Sequence, residues 1–192
     1  SEFAYGPCLA IYDSNAPADV LESISTFSGP RQIEKTITTD PKRVATAWLD
    51  STYMLGAEHT GDYVARSYQH HAITAHWQCP NGEIGYLRLK HIGPTHARAE
   101  KGTISLSAPV SPNVETKDGD STVFIFEVYG PGLTTEAFKP DAWSLAGMTV
   151  SVATNLPTPN ITEERNLFSV KYKGPAGTAS FDLGFHTLPA TP

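Results

Sequence analysis

Alternation of apolar and polar side chains is the feature that most restricts this chain. Ile104, Leu106 and Ala108 alternate with Thr103, Ser105 and Ser107. Met148, Val150 and Val152 alternate with Thr149, Ser151 and Ala153, and Phe181, Leu183 and Phe185 with Ser180, Asp182, Gly184 and His186. Successive side chains of a strand point to opposite faces, so each stretch reads as a strand with one face in a core and one in water. Val123–Tyr129 (VFIFEVY) is apolar on both faces and suits a central strand. Turn residues separate these runs: Pro80-Asn81-Gly82, Asp118-Gly119-Asp120, Gly130-Pro131-Gly132 and Gly174-Pro175-Ala176-Gly177. Asn81-Gly82 predicts a hairpin between about His70–Cys79 and Glu83–Ile92, with Trp77 opposite Tyr86 and Ala72 opposite His91. A second hairpin is expected between Leu167–Lys173 and Thr178–Thr187. Two short helices are expected. One follows Asp40-Pro41, with Val44, Trp48 and Leu55 on one stripe; the other lies over Pro17–Ser25. The expected fold is mainly β, an antiparallel β-sandwich or jelly roll with one or two short helices.

Length and charge narrow the class further. A chain of 192 residues folds as one domain without needing a metal or a disulfide. Ser1-Glu2-Phe3 reads as a cloning remnant, 4–187 as a single domain and Leu188–Pro192 as a linker. Twenty Asp and Glu against 14 Lys and Arg leave a net charge of −6, which argues against direct binding to nucleic acid. No run approaches the ~18 apolar residues of a membrane span, so no membrane insertion is expected. Cys8 and Cys79 do not make a disulfide framework, and their spacing leaves open whether they pair.

The sequence holds no GxSxG, HExxH, P-loop, dinucleotide-binding or EF-hand motif. No catalytic residue, metal site or cofactor is assigned from it, and the balance favours a non-catalytic domain. Five of the seven His lie between His70 and His96. The expected register sets His70 diagonal to His91 on one face, a pH-sensitive pair. Glu127, inside VFIFEVY, needs a partner, solvent or a function; an ion pair is the expectation, acid–base work with Arg88 or a His the alternative. Tyr86, Arg88 and Lys90 share the outer face of their strand, where a sialic acid or sulfated glycan would fit. The loops flanking VFIFEVY supply the receptor-binding candidates. These are Lys117, Asp118 and Asp120 on one side and Glu136, Lys139 and Trp143 on the other.

Ser/Thr-rich strands such as Thr103–Ala108, Gly-Pro loops such as Gly130-Pro131-Gly132 and an acidic charge together give a style of sequence. It resembles the protruding, or spike, domains of capsid proteins from small non-enveloped positive-strand RNA viruses of nodavirus, tetravirus and astrovirus type. The resemblance implies a domain on the virion surface that forms a spike as a homodimer or homotrimer and meets a host-cell receptor or glycan. It transfers no functional residue. Two other readings stay open: a secreted carbohydrate-binding module using the Tyr86, Arg88 and Lys90 face, and a β-sandwich enzyme acting on polysaccharides.

Overall fold

The structure is a computed structural model. It describes residues 22, 26–27, 29–40, 42–61, 71–110, 115–116, 119–120, 122–175 and 177–188. In chain order the strands are β1 (Arg31–Thr39), β2 (Lys42–Leu49), β3 (Tyr53–His59), β4 (Ile73–Gln78), β5 (Ile84–His91), β6 (His96–Glu100), β7 (Thr103–Val110), β8 (Glu115–Thr116), β9 (Gly119–Asp120) and β10 (Val123–Tyr129). They continue with β11 (Ala142–Leu145), β12 (Met148–Thr154), β13 (Asn160–Glu164), β14 (Leu167–Lys173) and β15 (Gly177–Thr187). A 3-10 turn covers Thr135–Ala137.

All of these strands except β8 and β9 join one antiparallel sheet, in the order β11-β12-β15-β7-β6-β3-β4-β5-β10-β14-β13. β2 pairs with β3, and β1 with β2; β8 and β9 form a separate two-stranded ribbon. The sheet curls on itself. Phe126 of β10 meets Trp143 of β11 (ring centroids 5.6 Å apart) and Phe181 of β15 (5.1 Å), strands distant in the order. The two ends therefore face each other across one core, as the two layers of a sandwich do. Leu55, Trp77, Leu87, Leu89, Phe168, Val170, Val150 and Leu183 complete that core, all 2% exposed or less. The mainly β, antiparallel expectation describes this architecture.

Three local expectations are corrected. The residues expected to form a helix after Asp40 form β2 and β3 instead. β2 is paired on both edges, by β1 and β3, and its Thr46 Oγ1 accepts from the Ala99 N–H (2.8 Å), so tertiary pairing overrides the helical stripe. The Pro17–Ser25 segment lies outside the described residues apart from Glu22. β14 and β15 are not a hairpin: β14 pairs with β10 and β13, and β15 with β7 and β12. The β4–β5 hairpin exists, but its register differs by one, with Trp77 opposite Gly85 and His76 opposite Tyr86. The loop has three residues rather than two. Cys79 N–H donates to the Glu83 carbonyl (2.8 Å), Gly82 N–H donates to the Cys79 carbonyl (2.9 Å), and Gly82 has φ 84°. Pro80 presets the first turn position and Gly82 supplies the left-handed one, which is a type I turn closed by a bulge.

Candidate functional site

That register sets the outer face of β4, β5, β10 and β14. Gly85 and Leu87 point inward with Trp77 and Ala75, so Tyr86, Arg88 and Lys90 point outward. Pairing with β10 places Tyr129 opposite Tyr86, Glu127 opposite Arg88 and Ile125 opposite Lys90. Pairing of β10 with β14 adds Leu167, Ser169 and Lys171 to the same three rows.

The middle of this face is an ion triad. Arg88 Nε donates to Glu127 Oε2 (2.6 Å) and Lys90 Nζ donates to Oε1 (2.7 Å). Glu127 is 6% exposed, although it lies on the outer face, because the two cationic stems cover it. Burial by itself would raise its pKa; the bonds from Lys90 and Arg88 outweigh burial and hold the carboxyl below its ordinary value. Glu127 is thus an ionised anchor that fixes two cations. The ion-pair reading of this residue describes the geometry, with Lys90 as an additional partner.

Beside the triad stand two stacked tyrosines. The Tyr86 and Tyr129 rings lie 5.5 Å apart at 23°, and the Arg88 guanidinium sits 5.8 Å from the Tyr86 ring centroid. Tyr129 is oriented further by its hydroxyl, which donates to Glu83 Oε2 (3.4 Å). His76 continues the row on β4, and Met54 on β3 lies opposite His76. Burial lowers the pKa of His76, so the neutral ring is favoured. From there the surface falls into an open groove of about 420 Å³ lined by Phe27, Tyr53, Met54, His76, Trp77 and Ile84. Met54 and Ile84 are 44% and 54% exposed.

The other residues singled out in the sequence do not join this face. His91 points inward: it is 3% exposed, stacks on Phe124 at 4.1 Å, and its Nδ1–H donates to the Val123 carbonyl (3.0 Å). It is a core residue, not half of a surface pair, and His70 lies outside the described residues. The histidines that do meet are His59 and His96, with Nδ1 atoms 3.0 Å apart and rings stacked at 4.5 Å. Trp143 is fully buried on β11 against Phe126 and Phe138, so it is not available to a partner. Glu136 and Lys139 are exposed in the loop after β10. Lys117 and Asp118 lie outside the described residues, and Asp120 belongs to β9, ahead of β10. The two loops leave β10 at its opposite ends. Cys79 is a buried free thiol, and Cys8 lies outside the described residues.

Sequence reasoning did not find Tyr129, Lys171 or Lys173 as members of the site. Tyr129 joins through the β5–β10 pairing, and the β10–β14 pairing that brings in Lys171 and Lys173 was hidden by the expected β14–β15 hairpin. Among the described residues no group of three or more His, Cys, Asp or Glu could hold a metal ion. No helix among them is long and apolar enough to cross a membrane. No protein-family model, curated protein or solved structure matches the chain.

Proposed function

We propose that this chain is a non-catalytic attachment domain, of the kind that protrudes from the capsid of a small non-enveloped RNA virus, and that it engages its receptor through the outer face of β4, β5, β10 and β14. The observation that carries the reading is the pairing of a stacked Tyr86–Tyr129 platform with two cations held rigidly by Glu127. Preorganised groups on a sheet lose little freedom on binding, which favours recognition. The same groups suit acid–base catalysis poorly. Glu127 accepts from two cations and is held ionised, so it is neither a proton donor nor a base with a free lone pair directed at a substrate. A secreted carbohydrate-binding module would use the same face in the same way.

The test is attachment. Labelled protein is applied to a panel of host cells, and Tyr86→Ala/Tyr129→Ala is compared with Lys139→Ala, which alters the exposed loop after β10. The face variant should lose most of its binding while the loop variant keeps it. Equal binding by both variants would move the contact away from this face.

A further inference from the structure

The outer face carries more positive charge than its carboxylates balance. Four of the chain's 14 Lys and Arg, namely Arg88, Lys90, Lys171 and Lys173, sit on the β5–β10–β14 part of it. Glu127 is already shared by the first two. Glu164 lies opposite Leu167, at the far end of the tyrosine row, and Glu83 meets the Tyr129 hydroxyl. Lys171 and Lys173 are exposed and form no ion pair among the described residues. In a chain of net charge −6 this is a local electropositive patch.

Its geometry contains two separate cationic centres. Arg88 meets Glu127 through Nε and its side chain is 39% exposed, which leaves the end-on edge of the guanidinium, formed by the two terminal amino groups, as a fork for a second anion. Lys171 lies in the row of Lys90 and Ile125, two strands from β5, or about 10 Å away across the sheet. Lys173 lies two residues further along β14, about 7 Å on. A single carboxylate can occupy one centre only. A chain that repeats its negative charges occupies both, while one of its sugar rings packs against the stacked Tyr86–Tyr129 pair next to Arg88.

We infer that this face binds a sulfated glycan chain, with one sulfate at the Arg88 fork, a pyranose ring against the tyrosine pair and a further sulfate at Lys171 and Lys173. This rests on the attachment reading and adds the ligand's chemistry to it. Because Lys171 and Lys173 are exposed and the Arg88 side chain is partly so, binding should weaken as salt rises.

The experiment is titration of the whole chain with a heparin-derived octasaccharide, its desulfated counterpart, sialyllactose and a single-stranded RNA. The octasaccharide should bind and the desulfated form should not. Lys171→Ala/Lys173→Ala should weaken binding by roughly fivefold with little change in Tm, because both lysines are exposed and neither forms an ion pair among the described residues. Arg88→Lys retains the charge but loses the fork, and should weaken binding by roughly tenfold. Equal binding of the desulfated form, tighter binding of sialyllactose or of RNA, or wild-type affinity in both variants would overturn the inference. A parallel assay separates it from the attachment reading. If enzymatic removal of sulfated chains leaves cell binding intact but Tyr86→Ala/Tyr129→Ala abolishes it, the ligand class is wrong and the face is right. If neither treatment changes cell binding, the face itself is wrong.

Discussion

His91 shows how one buried side chain ties the stability of the whole fold to pH. Its Nδ1–H is used by the Val123 carbonyl, while Nε2 is buried with no hydrogen-bond partner among the described residues. Protonation would place a second N–H and a charge in that apolar space. Burial therefore pushes the pKa down to about 4, against the smaller opposing effect of the Val123 bond. In the unfolded chain the ring titrates near its ordinary value of about 6.5. A group whose folded pKa is depressed gives its full stabilisation above the unfolded value and loses it as pH falls toward the folded one. Stability should therefore decline between about pH 6.5 and 4, by about 3 kcal/mol from this residue. Thermal unfolding across that window measures it. His91→Gln should be less stable at neutral pH, because the stacking on Phe124 is lost, yet less sensitive to acid. A variant with the wild-type slope would show that another group is responsible.

The β4–β5 hairpin makes the same point at the scale of an element, through two glycines with different work. Gly82 has φ 84° and open space around its α-carbon, so Gly82→Ala meets only the backbone penalty, roughly 1 kcal/mol. Gly85 has an ordinary φ, but a Cβ there would sit inside the Trp77 indole. Trp77 cannot move aside freely, since its Nε1–H donates to the Ala146 carbonyl at 2.9 Å. Gly85→Ala should therefore cost more, about 1–3 kcal/mol, and lower Tm further than Gly82→Ala. Equal Tm values would mean that the indole repacks without penalty. The comparison also shows what the sequence made legible. Asn81-Gly82 located the hairpin, and the alternation around it located an outer row of Tyr86, Arg88 and Lys90. The register was off by one because Pro80 selects a three-residue loop, and the expected His70–His91 pair overlooked that His91 shares the inward parity of Leu87 and Leu89 in its own strand. Alternation also located the inward faces of β7, β12 and β15, since it depends only on local periodicity. Which strand lies beside β14 depends on contacts remote in sequence, and no local pattern encodes them. The ion partners of Glu127 were half legible for that reason: Arg88 could be guessed from charge, whereas Lys90 and the Tyr129 platform needed the β5–β10 register.

Across the whole molecule the strands are not held equally. Most of the sheet is fixed by the shared aromatic core, but β1 has all nine of its residues exposed. Its inward contacts are polar: Gln32 Nε2 donates to the Ala99 carbonyl (2.8 Å), and Arg98 pairs with Glu34 (2.7 Å), both at exposed or part-buried positions. Surface ion pairs of this kind contribute little to stability. Among the described residues β1 pairs only with β2, and no other described strand lies along its second edge. Ile33 and Ile37 add apolar surface there, at 43% and 45% exposure. A strand with exposed isoleucines gains from having them covered, and under the attachment reading proposed above a second copy of the chain is the partner that would cover them. Sedimentation at rising protein concentration should then show association, and hydrogen exchange along β1 should slow as the assembly forms. Ile33→Glu places a charge in the contact and should shift the equilibrium to monomer while leaving Tm almost unchanged, because the side chain is outside the core. A chain that remains strictly monomeric at high concentration, with β1 exchanging as fast as a free hairpin, would remove β1 as the assembly surface.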